Sequence, residues 1–181
     1  TLSYQMSSYF SESDYAALID LFKNMVKNKE SIFTVYPING EDSVKVKRIV
    51  DYLGTFVPGL KDCIVDISPL IDDMRRTKSM MEIELMYRSI EITNAALQSA
   101  CYMIKADNSE AEAQAAIEYV YTENDSISAY YPIIAGGGNA TVLHYNNNNQ
   151  KFRSGELVLI DTGAMFQHYC ADITRVFPVS G

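Results

Sequence analysis

The sequence is poor in the side chains that usually declare chemistry. Of 181 residues, only two are histidine (His144 and His168) and three are cysteine (Cys63, Cys101 and Cys170). The cysteines show no CxxC or other metal-ligand spacing, which argues against a cysteine metal site. An odd number, widely separated, is expected of reduced thiols in the cytoplasm. Cys170 stands two residues from Asp172, and a small packing residue is the reading its position favours. Basic residues are outnumbered, 15 against 23 acidic ones, for a net charge of −8. That balance argues against nucleic acid or an anionic membrane as the main partner. No apolar run approaches the ~20 residues of a membrane span. Thr1–Ser13 lacks the basic start and apolar centre of a signal peptide. The chain does not begin with methionine, and it is expected to continue upstream. Gly136-Gly-Gly138 is followed by neither GxGxxG nor Walker spacing, so a phosphate cradle is disfavoured. A tight turn that brings backbone close to a ligand is expected there instead.

What is present is ordinary for a soluble globular protein: 48% hydrophobic and 21% charged residues, enough chain for one substantial domain or two small ones. Ser11-Glu-Ser-Asp14 opens a helix over residues 12–28, with Tyr15, Leu18, Ile19, Leu21, Phe22 and Val26 at helical spacing. Ser31–Tyr36 alternates and is rich in β-formers, predicting a strand. Pro37 and Asn39-Gly40 mark a loop. A second helix is expected over Glu41–Leu53 with Gly54 as its stop, then a short strand over Cys63–Asp66. About 70 residues is marginal for an independent core. This segment is read as the tail of a larger α/β domain, joined by a linker over Ile67–Lys78.

Two capping boxes follow, Ser79-Met-Met-Glu82 and Ser109-Glu-Ala-Glu112. The first opens a long helix over residues 80–105. Its expected buried stripe is Ile83, Met86, Ile90, Leu97, Cys101 and Ile104, and the methionines are read as core. The second opens an alanine-rich helix through Tyr121. Tyr130–Ala135 is a short buried-type run, and Thr141–Tyr145 is expected as a strand carrying His144. Asn146–Asn149 is expected as a polar loop.

The strongest signal lies at Leu157–Val179. Two β-rich runs, Leu157–Ile160 and Ile173–Phe177, flank Gly163-Ala164, with Asp161 and Asp172 on their inner sides. A tight turn centred on Phe166 and Gln167 would pair residues whose numbers total 333. That register sets Asp161 directly opposite Asp172, with Cβ atoms about 5 Å apart. Two unpaired carboxylates so close would repel, and one would take up a proton. A divalent cation between them removes the conflict, and two bridged ions fit the same spacing. Aspartates near strand ends are also common as plain turn or edge residues.

Asp161-Thr-Gly-Ala164 followed by Tyr169-Cys-Ala-Asp172-Ile-Thr-Arg-Val-Phe-Pro-Val179 resembles the signature hairpin of the Xaa-Pro aminopeptidases and prolidases. Gly137-Gly-Asn-Ala-Thr-Val-Leu-His144-Tyr145 and Gly155–Asp161 are similar to the stretch before that hairpin. Met74–Ser79, Glu82-Ile83 and Ile90–Thr93 look like the start of the catalytic domain. The resemblance implies an α/β (α+β) fold. Residues 1–70 would be the C-terminal part of an N-terminal creatinase-like α/β domain. Residues 71–181 would be the first half of a pita-bread catalytic domain.

It further implies two divalent metal ions, manganese first with zinc or cobalt as alternatives. Asp161 would chelate one ion and Asp172 would bridge both. His144 would match the histidine beside the scissile bond; by position alone, a lone strand histidine is more often structural. His168 matches no family site and is expected in the solvent-exposed turn. The implied reaction is attack on the Xaa-Pro bond at a peptide N-terminus by a hydroxide shared between two metals. A prolidase acting on Xaa-Pro dipeptides is the alternative, and a non-catalytic pita-bread module that binds proteins is the rival from another class. Methionine aminopeptidases would not need the segment before residue 67. Creatine-cleaving relatives lack the metals, which the two aspartates argue against. A homo-oligomer is implied for the whole protein. The family's remaining ligands, a histidine and two glutamates, lie downstream of the hairpin. The 181 residues are therefore read as a fragment with half a site, expected to be inactive alone.

Overall fold

A computed structural model describes residues 12–35 and 41–180. Contacts divide the chain into two compact units, Thr1–Thr77 and Lys78–Gly181. The first holds helix α1 (Glu12–Asn28), strand β1 (Ile32–Thr34), helix α2 (Glu41–Gly54), a 3₁₀ turn (Leu60–Cys63), strand β2 (Ile64–Asp66) and helix α3 (Ser68–Arg76). The loop predicted at Pro37 and Asn39-Gly40, and the end of the first predicted strand at Tyr36, lie outside the described residues. β1 and β2 pair in parallel, Ile32 facing Ile64, with α2 in the crossover between them, as a parallel connection requires. Ile19, Leu53, Val57 and Leu60 form its core, with Tyr15, Phe22, Val26 and Ile32 packed against them. α3 corrects the expectation of an irregular linker over Ile67–Lys78. Pro69 in its first turn supplies a preset φ where no backbone N–H is needed.

The second unit places two helices, α4 (Met80–Cys101) and α5 (Glu110–Glu123), on one side of strands β3 (Ile127–Ser128), β4 (Ile133–Gly136), β5 (Leu157–Thr162), β6 (Ala164–Phe166), β7 (Tyr169–Cys170) and β8 (Ile173–Pro178). Arg88 in the first half of α4 donates to Asn124, the residue that caps the end of α5, 3.1 Å, as antiparallel helices allow. The core gathers Ile92, Ala96, Leu97, Ile117 and Tyr121 from the helices with Ile134, Val158 and Ile160 from the strands. The buried face of α4 differs from the expected stripe. Ser89, Ile92, Thr93, Ala96, Leu97 and Ala100 are buried, while Ile90 and Cys101 are exposed. Small residues win because hydroxyls on this face reach strand backbone: Ser89 donates to the Tyr169 carbonyl, 2.6 Å, and Ala164 N–H donates to Thr93 Oγ1, 2.9 Å. The helix also stops at Cys101, four residues short of the predicted end.

Both capping boxes form as the spacing predicts. Glu82 is held below the usual carboxylate range first by the Ser79 backbone N–H, then by the Tyr169 hydroxyl. Glu112 is held down first by the Ser109 hydroxyl, then by its backbone N–H. A folded value below the ordinary 4.5 means stability that is present above that pH and lost as pH falls through the folded value. Stability in urea is thus expected to decline on acidification below about pH 4.5, and Glu112→Gln to flatten the decline. Parallel stability curves for variant and wild type would refute this.

β4, β5 and β8 form one antiparallel sheet and β3, β6 and β7 another. Along β5, Val158, Ile160 and Thr162 are buried toward the helices, so the alternation turns Asp161 to the opposite, more open face.

Candidate metal centre

The hairpin register places the two aspartates. Leu157 faces Pro178 and Phe166 faces Tyr169, so facing residues total 335 in both halves of the hairpin. The turn is Gln167-His168, one residue later than predicted, with φ of 46° and 71°. Positive φ at both positions is what a two-residue type I′ turn demands. Asp161 therefore faces Thr174, and the direct opposition of Asp161 and Asp172 is corrected to a diagonal. The shift is an even number of residues, so both side chains still share a face. His168 lies exposed in the turn, as expected, whereas Cys170 is exposed where a packing position was expected.

Gly163 interrupts the first arm and Ala171-Asp172 the second. Ala171 N–H still donates to the Ala164 carbonyl, 2.9 Å, across this break. The backbones come so close that a Cβ on Gly163 would stand 1.8 Å from the Ala171 carbonyl oxygen. Glycine is required at this approach.

Tyr130 closes the site, and no sequence signal marked it. Its hydroxyl lies 2.5 Å from Asp161 Oδ1 and 3.0 Å from Asp172 Oδ1. Burial pushes the phenol far above its ordinary value, and the hydrogen bonds to Asp161 and then Asp172 reinforce the shift. It stays a donor at any physiological pH. A phenol has one proton, yet two carboxylate oxygens converge on it. Among the described residues no lysine or arginine forms an ion pair with either aspartate. Half-buried Asp161 and exposed Asp172 thus offer hard oxygen donors with one shared proton and no counter-charge, which suits a divalent cation. They are a partial set. No cluster of three or more His, Cys, Asp or Glu occurs among the described residues.

His144 is not on a strand, contrary to expectation. It sits exposed in a turn after the 3₁₀ segment Gly137–Thr141, with φ 54°. It makes no hydrogen bond to either aspartate; the structure joins Asp161 and Asp172 through Tyr130 and leaves His144 on a separate loop. Gly137, φ 53°, begins the 3₁₀ segment within the predicted turn.

Two buried polar side chains hold that loop. The Asn148 amide accepts from Ile134 N–H, 3.1 Å, and donates to the Pro132 carbonyl, 2.8 Å, as a neighbouring strand would. Glu110 accepts from Gly136 N–H, 2.9 Å. The outer edge of β4 is therefore satisfied by side chains rather than by another strand. By sequence alone Asn146–Asn149 is a plain polar loop and Glu110 part of a cap.

Comparison with known proteins places the chain among named relatives. The chain is 38% identical over 119 residues to Xaa-Pro aminopeptidase of Haemophilus influenzae, a match spanning 65% of this chain and 28% of that protein. It is 37% identical over 122 residues to human Xaa-Pro aminopeptidase 3, spanning 67% and 24%. The chain thus spans about a quarter of the length of these relatives. Among solved structures, it superposes on Escherichia coli aminopeptidase P in complex with substrate with a TM-score of 0.66 and 28% identity. That match covers 83% of this chain and 35% of that one. Proline aminopeptidase P II from Yersinia pestis gives 0.68 and 28%, over 90% and 37%. The mixed helix-and-strand fold is that of these pita-bread enzymes. Residues 84–181 match the profile of metallopeptidase family M24, and the chain belongs to that family.

Proposed function

We propose that the protein is a metal-dependent aminopeptidase that hydrolyses the Xaa-Pro bond at peptide N-termini. The observation that carries this reading is the pair of aspartates on one open strand face, sharing a single phenolic proton. The names of its relatives support the substrate class.

Asp161 and Asp172 would hold two divalent ions, manganese in the first instance. When bound, such ions act as Lewis acids and bring the pKa of water near neutrality, so that a nucleophile exists at pH 7. Tyr130 orients both carboxylates by donating into the space between them. His144, exposed on its turn, would place the substrate and carry a proton beside the scissile bond. An Xaa-Pro bond is a tertiary amide without the N–H that a general peptidase grips, so a site shaped for it is specialised. A cytoplasmic homo-oligomer is the setting that goes with this reading.

The test is hydrolysis by the full-length protein of three substrates: a tripeptide with proline second, the same tripeptide with alanine second, and an Xaa-Pro dipeptide. Manganese-dependent cleavage of the proline tripeptide is expected, falling by about a hundredfold or more after chelation. Equal rates on the alanine tripeptide, or activity indifferent to the chelator, would overturn the proposal. Preference for the dipeptide would assign a prolidase instead.

A further inference from the structure

Glu110 forms no ion pair among the described residues and is fully buried, with 0% of its surface exposed. Burial of a carboxylate is costly unless hydrogen bonds replace water, and here four donors converge on it. Gly136 N–H and Asn139 Nδ2 donate to Oε1 at 2.9 and 3.0 Å. The Tyr145 hydroxyl and Gln150 N–H donate to Oε2 at 2.7 and 2.9 Å. The position of Glu110, first in α5, adds the positive end of the helix. These donors come from the start, middle and end of one segment, residues 136–150. That segment contains one 3₁₀ turn, and a loop this long needs internal fastening to keep one shape.

The residue next to the central donor is His144. Tyr145 is buried and His144 exposed, so the chain leaves the protein at the point where Tyr145 is tied down. His144 also holds φ 54°, a conformation costly for a residue other than glycine, which persists only when its surroundings impose it. Val142 and Leu143 beside it are exposed and contribute little packing. Tyr145 N–H donates to the Val142 carbonyl, 3.3 Å, within the turn itself, and the turn is tied to the body of the unit beside His144 by the buried Tyr145 side chain and its bond to Glu110, 2.7 Å.

We propose that Glu110, acting through Tyr145, is the positioning residue that fixes His144 in its active orientation. The assignment rests on the reading of His144 as a participant in Xaa-Pro cleavage. Glu110 touches no reacting atom; its part is to hold still a loop whose other anchors are polar.

The full-length protein carries the test, with the variants Tyr145→Phe, His144→Ala and both together. Tyr145→Phe keeps the ring and removes only the hydroxyl, with its bond to Glu110 and its contacts to Asn139 and the Asn149 backbone, so it folds where Glu110→Gln, which sets an amide N–H against a backbone N–H, could fail. Tyr145→Phe is expected to lower kcat on an Xaa-Pro tripeptide by about tenfold, since small misplacements of a catalytic group have such effects. KM and the manganese Kd should change less than about twofold. The double variant should be no slower than His144→Ala alone, because non-additivity marks residues acting as one unit. Losses that multiply in the double variant, or an unaltered kcat in Tyr145→Phe, would overturn the assignment. Should the wild-type protein fail to cleave Xaa-Pro peptides, the functional reading falls, and amide hydrogen exchange then decides the anchor alone. Exchange over residues 142–147 should quicken about tenfold in Tyr145→Phe, and unchanged exchange would refute it.

Discussion

Asp172→Asn in the full-length protein should reduce Xaa-Pro hydrolysis by about a thousandfold or more and abolish tight binding of the second metal ion. Asparagine has the same shape but is neutral, and one of its two terminal atoms is a donor. It therefore withdraws a hard anionic ligand and points N–H at a cation or at Tyr130. Asp172 is exposed, and among the described residues its carboxylate makes one hydrogen bond, with Tyr130. Folding stability should therefore change by less than about 0.5 kcal/mol. Manganese calorimetry with thermal melting separates the two effects. Two ions bound with unchanged affinity would show that the hairpin aspartates are not the ligands. Tyr130→Phe gives a graded control, because it leaves both carboxylates and removes only the group that orients them. Its loss of metal affinity should stay within about 10–100-fold, the range for groups behind a ligand.

Gly163→Ala should be the most destabilising single-methyl change in the described part of the second unit. Its Cβ would stand 1.8 Å from the Ala171 carbonyl oxygen and 2.6 Å from the carbonyl carbon. These are backbone atoms with no rotamer to swing aside, so the two hairpin arms must part. A loss above about 3 kcal/mol is expected, or a fall in Tm of roughly 10 °C in a protein of this size. The same movement would carry Asp172 away from Asp161, so metal binding should fail together with stability. Gly138→Ala is the control, since no atom lies within 4 Å of a Cβ there, and it should melt like wild type. A Gly163→Ala protein with a native Tm would show that the arms tolerate separation.

Several features of the fold and site were legible before any coordinates because their causes are local. A capping box needs a serine and a glutamate three residues apart, and both boxes close as that spacing dictates. The two aspartates share a face because strand side chains alternate with period two, and a register error by an even number of residues preserves that result. The error itself came from the turn. Gln167 and His168 both adopt positive φ, and neither is the glycine or asparagine that usually announces such a turn. The buried side of α4 departs from its apolar periodicity for a related reason. Apolar periodicity favoured Ile90 and Cys101, but Ser89 and Thr93 are drawn inward by strand backbone far along the chain.

The sequence by itself determined the helices other than α3, the two capping boxes, the hairpin and its paired carboxylates, and the family, since each depends on residues within a few positions of one another or on a contiguous motif. Only the tertiary structure decided which residues face which. It placed Tyr130 against two aspartates 31 and 42 residues away. It buried Glu110 beneath a loop whose donors lie 26 to 40 residues downstream. It also set His144 in a turn rather than a strand. These arrangements rest on hydrogen bonds that form only after packing has excluded water, and no local spacing encodes them.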